Sequence, residues 1–367
     1  MEQNSVKSNE HKDEKTEDLS QEPEEKGEGL SADVSATNPN QESSEETIKQ
    51  EENVRPRNLS EFIGQDALRQ NLRVFIDSAK QQGKNLDHTL FYGNPGLGKT
   101  TLAQIIAEEM GVHLTVTSGP VLEKSGDLAA ILTKLEPNDL LFVDEIHRMP
   151  IAVEEILYPA MEDFRLDIII GQGPGARTVA IQLNPFTLVG ATTRMSLMSK
   201  PLRERFGIVE HLDFYTPEDL ARIVKRTARI LQIEIADEGA LEIGRRSRGT
   251  PRIANRFLRR VRDFVLVRGK HVVSAEEASL ALKQMGIDAF GLDFMDRKLL
   301  KLLLVDYEGG PVGVKTLAAA SSEDVRSIED IYEPYLIYSG FIKKTTRGRV
   351  ATTKAEEQRE AILSFAR

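Results

Sequence analysis

The chain has 367 residues, a formal net charge of −10, 40% apolar and 29% charged residues, and no cysteine. This length fits two or three folded domains. The lack of cysteine excludes disulfides, thiolate metal sites and cysteine nucleophiles. No apolar run approaches the roughly 18 residues that a membrane-spanning helix needs. Because the first 20 residues also lack the apolar core of a secretory signal, we expect a cytoplasmic protein that does not associate with membranes.

Residues 1–53 predict a disordered acidic leader. They contain 16 Asp and Glu but 5 Lys and Arg, a balance of −11, so the rest of the chain sums to +1. The leader has no aromatic residue and few branched aliphatic ones, and such a segment cannot bury enough apolar surface to offset its chain entropy. A solubilising role and a role as a regulatory polyanion are both open.

Residues 54–215 predict an α/β domain with a parallel sheet. Apolar residues at helical spacing indicate a first helix over 60–80. Short apolar runs then alternate with helical stretches, which is typical of parallel strands joined by helices. The predicted strands are 88–92, 112–117, 139–143 and 186–190, and the predicted helices between them are 100–110 and 150–164.

Helical patterns dominate the remainder of the chain. Residues 216–291 predict a small all-α domain, and Pro217 suits the first position of its first helix. Residues 292–367 predict a third domain of two or three helices, followed by a β-hairpin over 341–352 and a last helix.

The strongest motif is GNPGLGKT at residues 93–100, which matches the pattern G-x-x-x-x-G-K-[ST] between a predicted strand and a predicted helix. Glycines such as Gly96 and Gly98 allow backbone N–H groups to face phosphate oxygens, and the helix N-terminus adds a positive dipole end. Lys99 can bind the β- and γ-phosphates, and the Thr100 hydroxyl can bind Mg²⁺. The motif therefore predicts an ATP site.

A second motif is LLFVDEIH at residues 140–147. In phosphate-loop proteins an acid at the tip of a neighbouring strand holds Mg²⁺, which we assign to Asp144. The adjacent Glu145 can orient the attacking water. Two acids after an apolar strand are weak evidence alone, but they become strong evidence beside the phosphate loop. For His147 a structural role is favoured over a catalytic one.

These motifs resemble the AAA+ branch of the P-loop ATPases and, within it, the RuvB family of bacterial Holliday junction motors. The resemblance runs over residues 54–353 and leaves out the leader. It implies an AAA+ ATPase domain, a small helical lid and a C-terminal winged helix. Further matching stretches include TSGPVLEKSGDLAAILT, VEEILYPAMEDF, LVGATTR, PLRERFGIVEHLDFY, GTPRIANRFLRRVRDF and KTTRGRVATT.

The resemblance also assigns roles to single residues. It makes Thr193 the sensor of the γ-phosphate and Arg252 a second sensor that contacts the nucleotide of its own subunit. It makes Arg205 the arginine finger that reaches a neighbouring subunit's nucleotide. Arg203, two residues earlier, is the arginine most easily mistaken for it. Without the resemblance, Thr193 could simply end a strand, and either arginine could pair with Glu204. The remaining implied ATP contacts are Val54, Arg55, Thr101, Glu162, Asp163, Phe164 and Tyr215.

Three further segments have open interpretations. The resemblance assigns DNA contact to Lys344, Arg347 and Arg349 in the C-terminal hairpin, which is otherwise a solvated turn. Nine arginines and one acid over 245–268 suggest a subunit interface or a phosphate-binding face in addition to a solvated one. A hairpin predicted over 166–183 docks the junction-binding partner in the family, and Ile168–Ile170 could supply its apolar surface or pack in the protein's own core.

Taken together, the resemblance implies a hexameric, ATP-hydrolysing DNA motor. Its implied partners are four-way DNA junctions, a RuvA-like junction-binding protein and a RuvC-like resolvase. Its implied setting is homologous recombination, DNA repair and the SOS response to DNA damage. Two alternatives share the ATP site: an AAA+ machine of the clamp-loader type, and an ATP-gated DNA-binding regulator without turnover.

Overall fold

The computed structural model describes residues 54–170 and 177–364. The strands are β1 Thr89–Gly93, β2 Leu114–Ser118, β3 Leu140–Asp144, β4 Arg165–Ile170, β5 Arg177–Gln182, β6 Thr187–Thr192, β7 Ile208–Leu212, β8 Glu234–Ile235, β9 Val272–Val273, β10 Ile342–Thr345 and β11 Gly348–Ala351. The helices are α1 Asp66–Gln82, α2 Lys99–Met110, α3 Ser125–Leu132, α4 Ile151–Asp163, α5 Lys200–Glu204, α6 Pro217–Ile230, α7 Asp237–Arg246, α8 Pro251–Val267, α9 Ala275–Gln284, α10 Phe294–Lys301, α11 Val314–Ser321, α12 Val325–Ser327, α13 Glu333–Tyr338, α14 Thr353–Glu357 and α15 Arg359–Ser364.

Five parallel strands form the central sheet in the order β2-β3-β6-β1-β7. The predicted α/β architecture and its four predicted strands are confirmed. The fifth strand, β7, was not predicted. It lies at the sheet edge, and its central residues Val209 and His211 are exposed, so it lacks the continuous apolar run that marks a buried strand.

Side chains alternate along each strand, and the apolar ones pack against helices on both faces of the sheet. In β3, Leu140 and Phe142 join one apolar cluster with residues of α1 and α2. Leu141 and Val143 join a second cluster with residues of α3 and α4. The loops that follow β1, β3 and β6 therefore meet at one edge of the sheet, where sites form in sheets of this class.

The first helix begins later than its apolar spacing indicates. Gly64 and Gln65 have φ of 78° and 52°, and this left-handed backbone cannot continue a right-handed helix. The helix therefore starts at Asp66, which corrects the predicted range 60–80. Phe62 instead packs on the phosphate loop, where a Cβ at Gly98 would lie 3.2 Å from its ring.

The segment after the sheet is helical, as predicted. Helix α6 begins with Pro217, and the Thr216 hydroxyl caps it by accepting the N–H of Asp219 at 3.1 Å. Helices α7, α8 and α9 complete the bundle. The short parallel pair β8–β9 was not predicted, since two-residue strands leave no periodic signal.

The C-terminal segment has its own apolar core, which includes Leu300, Leu336 and Phe341. The predicted hairpin is confirmed as the antiparallel pair β10–β11. It is followed by two short helices instead of one. Two π-helical segments extend neighbouring helices. Leu302–Asp306 follows α10, and Ile328–Tyr332 lies between α12 and α13.

Strands β4 and β5 pair antiparallel, which confirms the predicted hairpin between the acid-bearing strand and β6. The tip of this hairpin, 171–176, and the side chains of Ile168–Ile170 lie outside the described residues. Over 54–170 and 177–364, no helix has the length and apolarity that crossing a bilayer requires.

Candidate active site

A cavity of about 440 Å³ lies where the loops after β1, β3 and β6 face the helical segment. Most of the predicted site residues line it, although they come from distant parts of the chain. They are Val54, Arg55, Gly96, Gly98, Lys99, Thr100, Thr101, Asp144, Glu145, Thr193, Tyr215 and Arg252.

The phosphate loop connects β1 to α2 in the predicted manner. Lys99 is 7% exposed, and its Nζ donates to the carbonyl oxygens of Gly93 at 2.8 Å and Asn94 at 2.9 Å. Burial lowers the pKa of the Lys99 ammonium to about 8, and the nearby carboxylates of Asp144 and Glu145 oppose that effect. Burial therefore disfavours the charged form of Lys99 unless an anion binds beside it.

The phosphate loop touches the helical segment at Gly96, whose φ is 78°. A Cβ there would lie 2.8 Å from Cγ2 of Thr250 and 3.2 Å from Cβ of Arg252. Only glycine permits this approach and this backbone conformation together. The loop and the start of α8 are therefore in close contact.

The two acids at the end of β3 have different surroundings. Asp144 accepts the N–H of Glu145 through Oδ1 at 2.9 Å. Glu145 itself has a left-handed backbone, with φ of 48°, and its Oε1 accepts from the Thr193 hydroxyl at 3.5 Å. The strand tip therefore turns two consecutive carboxylates toward one cavity.

Thr100 and Asp144 supply oxygen donors of the type that Mg²⁺ prefers. Within the described parts of the chain, no group of three or more His, Asp and Glu is arranged to hold a metal ion by itself. A site with one hydroxyl and one carboxylate suits Mg²⁺, which keeps several waters and usually binds together with substrate phosphates.

Sequence reasoning missed Arg226, which lies on α6 and lines the cavity. Its guanidinium donates to the carbonyl oxygen of Val54 at 2.7 Å and to Oε2 of Glu61 at 2.6 Å. The hydrogen bond from Arg226 lowers the pKa of Glu61. No motif marks this arginine, because its partners lie more than 160 residues away in the sequence.

Three family models match the chain in succession. They are described as the Holliday junction DNA helicase RuvB P-loop domain over residues 54–212, the RuvB AAA lid domain over 215–288 and the RuvB C-terminal winged helix domain over 289–358. This chain belongs to the RuvB family. The AAA+ fold with a helical lid and a winged helix, predicted from the resemblance, is thereby confirmed.

Similar proteins agree with the RuvB family models. The Holliday junction branch migration complex subunit RuvB of Nitratidesulfovibrio vulgaris is 69% identical over 305 residues, which cover 83% of this chain and 95% of that protein. The protein of the same name from Lawsonia intracellularis is 65% identical over 313 residues, covering 85% and 92%. A solved structure, the Thermotoga maritima RuvB Holliday junction branch migration motor, is 48% identical with a TM-score of 0.77, covering 84% of this chain and 98% of that one.

Four predicted site residues of the RuvB family, Arg205, Glu162, Asp163 and Phe164, do not line the cavity of their own chain. The last three lie at the end of α4, where Glu162 pairs with Arg205. The Arg205 guanidinium pairs with Glu162 at 3.0 Å, donates to the carbonyl oxygen of Pro201 at 2.7 Å and stacks 4.4 Å from the Tyr158 ring centroid. They form a second group, separate from the cavity.

The C-terminal hairpin divides its basic residues between solvent and the interior. Lys343, Lys344 and Arg347 are exposed. Arg349 is 6% exposed, and its guanidinium binds both carboxylate oxygens of Glu333 and, at 3.2 Å, Glu329. The structure therefore contradicts the assignment of Arg349 to DNA contact, because this guanidinium is enclosed by carboxylates.

The arginine-rich stretch is likewise only partly a surface. Arg246, Arg248 and Arg259 are buried. Arg248 pairs with Asp296 at 3.0 Å and with Asp293 at 3.2 Å, so it joins the lid to α10. Burial of these charges was not predicted, because a run of arginines does not reveal which of them face distant carboxylates.

Proposed function

We propose that this protein is an ATP-driven motor subunit that moves Holliday junctions by branch migration during homologous recombination and DNA repair. The observation that carries the proposal is the gathering of the phosphate loop, two strand-end acids, a sensor threonine and a lid arginine around one cavity in a chain of the RuvB family. We place its action in the cytoplasm, because chromosomal DNA is the substrate.

ATP with Mg²⁺ is the proposed occupant of the cavity. Lys99 and the N-terminus of α2 bind the phosphates, Thr100 and Asp144 bind Mg²⁺, and Glu145 orients the attacking water. Thr193 senses the γ-phosphate, and Arg252 reports it to the lid. Arg55 and Tyr215 complete the enclosure together with Val54, Gly96, Gly98 and Thr101, all of which line the cavity.

A ring of six copies is the proposed assembly. Arg205 does not line the cavity of its own chain, and it pairs with Glu162 at the end of α4. A guanidinium in such a position suits the phosphate of a neighbouring protomer, where it neutralises charge in the transition state. The second group is therefore proposed to face the nucleotide of the adjacent subunit.

The winged helix is proposed to contact duplex DNA through Lys344 and Arg347 of its exposed hairpin. The domain as a whole has 12 basic and 12 acidic residues over 292–367, so the contact is local and directed at phosphates, which position a protein without reading sequence. We keep the proposed domains as 54–215 for the ATPase, 216–291 for the lid and 292–367 for the winged helix, preceded by the leader 1–53.

A RuvA-like junction-binding protein is the proposed partner of the β4–β5 hairpin, and a RuvC-like resolvase is proposed to act on the same junction. Val179 supports the first of these, because it lies on β5 with 42% of its surface exposed. An exposed apolar residue on a separate two-stranded hairpin suits a protein contact.

The test is dissociation of a synthetic four-way junction, with ATP and Mg²⁺, in the presence and absence of a RuvA-like protein. We expect dissociation by the wild type and none by Glu145→Gln, which still binds ATP. Glu155→Gln, the same change at an exposed position of α4, serves as the control. ATP-dependent loading of a ring-shaped clamp without junction dissociation would favour the clamp-loader alternative, and absence of any turnover would favour the regulator.

A further inference from the structure

Each oxygen of the Glu145 carboxylate has a polar neighbour. Its Oε1 accepts from the Thr193 hydroxyl at 3.5 Å, and its Oε2 lies 3.4 Å from Nε2 of His147. Thr193 lines the cavity, whereas His147 lies behind it and is absent from the lining. The Glu145 side chain is 31% exposed, so it is partly enclosed beside these two neighbours.

The orientation of the His147 ring is set by Thr192. Nδ1 of His147 lies 2.8 Å from the Thr192 hydroxyl, which also accepts the N–H of Arg194 at 3.0 Å. Thr192 is fully buried, so its own hydroxyl proton is available to Nδ1. An Nε2 lone pair facing a carboxylate at 3.4 Å would be repelled. The neutral tautomer with its proton on Nε2 is therefore the one that fits.

The position of His147 favours this neutral form. Its side chain is 5% exposed, and burial lowers the pKa of the imidazole, with the Glu145 carboxylate as the main opposing influence. His147 also lies on a tight 3₁₀ turn, Ile146–Arg148, which leaves its backbone little freedom. A proton on Nε2 is therefore available to the Glu145 carboxylate.

We propose that His147 is a positioning residue for ATP hydrolysis, which holds Glu145 Oε2 through Nε2–H while Thr192 orients the ring. This inference rests on the proposed role of Glu145 in orienting the attacking water. Thr192 and Thr193 both stand at the end of β6, so one strand end sets both oxygens of the carboxylate: Thr193 directly and Thr192 through the imidazole.

Two substitutions of His147 separate this role from simple packing. In His147→Gln the side-chain amide reaches the place of Nε2 and keeps a donor for Glu145. In His147→Asn the shorter amide reaches only the place of Nδ1, so it keeps the Thr192 contact and loses the donor. We expect the kcat for ATP to fall about 10- to 100-fold in His147→Asn, because small misplacements of catalytic groups have effects of this size, and to be largely restored in His147→Gln.

The expected signature is a loss in kcat with little change in the KM or Kd for ATP, because His147 does not line the cavity. In a Glu145→Gln background, His147→Asn should lower residual turnover no further. His271→Gln, the same change at an exposed histidine of the lid, controls for the loss of an imidazole. Thr192→Val, which keeps the volume and removes the hydroxyl, should lower kcat in the same way if His147→Asn proves unstable.

Wild-type kcat in His147→Asn, or equal losses in the Asn and Gln variants, overturns the proposal. These outcomes differ from failure of the proposed function itself. In that case the wild type would show no ATP turnover, or Glu145→Gln would retain it.

Discussion

Arg194 and Asp330 join the end of β6 to the C-terminal domain. Nε of Arg194 donates to Oδ1 of Asp330 at 2.7 Å, and Nη2 binds the same oxygen. Arg194 directly follows Thr193, the residue proposed to sense the γ-phosphate, and Asp330 lies in the π-helical segment Ile328–Tyr332. A single ion pair therefore connects the nucleotide sensor to the domain proposed to contact DNA.

We expect Asp330→Asn to weaken communication between DNA and the ATP site. The pair is partly exposed, at 26% for Arg194 and 39% for Asp330, so unfolding free energy should change by less than about 1 kcal/mol. Stimulation of ATP turnover by duplex DNA should fall about two- to fivefold, the size of a coupling change of 0.5–1 kcal/mol, with basal turnover unchanged. Asp306→Asn, at an exposed position of the same domain, is the control, and full DNA stimulation in Asp330→Asn would contradict the link.

Arg205→Ala should abolish ATP turnover by about 10³-fold or more, with ATP binding retained, since the arginine is proposed to act on the neighbour's phosphate. Mixing Arg205→Ala with Glu145→Gln tests whether Arg205 acts on the nucleotide of its own subunit or on that of a neighbouring subunit. Arg205→Ala and Glu145→Gln are each expected to be inactive, but mixed rings contain interfaces with an intact site and an intact finger. Recovered turnover on mixing supports action between subunits, and no recovery indicates action within one chain. Arg203→Ala is the matched control.

Substitutions of Arg349 and Arg347 should have different effects, the first on stability and the second on DNA binding. Arg349→Ala leaves the carboxylate of Glu333, itself 4% exposed, with Lys344 at 3.6 Å as its remaining partner, so we expect a loss of up to about 3 kcal/mol in unfolding free energy. Arg347→Ala should leave stability unchanged, lower the affinity for duplex DNA and reduce the slope of log affinity against log salt concentration by about 1. Denaturant titration and salt-dependent binding measure the two. Reversed effects would restore Arg349 as a DNA contact.

His88 predicts a pH dependence of folding. Its Nδ1 accepts the N–H of Leu188 at 2.9 Å and its Nε2 faces the carbonyl oxygen of Met161 at 3.0 Å, an arrangement that fits a neutral, partly buried ring. Burial lowers the pKa of His88 below its usual 6.5. The unfolded chain therefore binds a proton that the folded chain resists, and stability is lost as the pH falls below about 6.5, by at most about 1.4 kcal/mol per pH unit.

Urea denaturation between about pH 5 and pH 7 measures this slope. His88→Gln should flatten it, whereas His271→Gln, at an exposed site, should keep the wild-type slope. Equal slopes in the wild type and in His88→Gln would show that other groups control acid stability.

Local patterns in the sequence were enough to predict the core of the site. The phosphate loop predicts its own structure, because its glycines and the following helix determine the backbone without help from elsewhere. The strand before Asp144 and Glu145 is marked by a continuous apolar run, since a buried parallel strand needs one. Thr193, Arg205 and Arg252 were predicted only through family resemblance, because a threonine or arginine in isolation carries no pattern.

The pairing of distant charges could not be predicted in this way. Arg349 was predicted to contact DNA because its hairpin contains no acid. The carboxylates that bind it, Glu333 and Glu329, belong to α13 and the segment before it. Arg226, on α6, donates to Val54 and Glu61, which lie before the first helix of the described chain. The contact of His147 with Thr192 also spans 45 residues.

The sequence by itself determined that the chain has a phosphate loop, a parallel α/β domain, a helical lid and a basic hairpin, because each depends on residues close together in the chain. The tertiary structure alone decided which charges are enclosed and which are presented, because burial and partner choice depend on how separate segments pack. For that reason Arg349 is buried against Glu333 and Glu329, and Glu162 at the end of α4 pairs with Arg205.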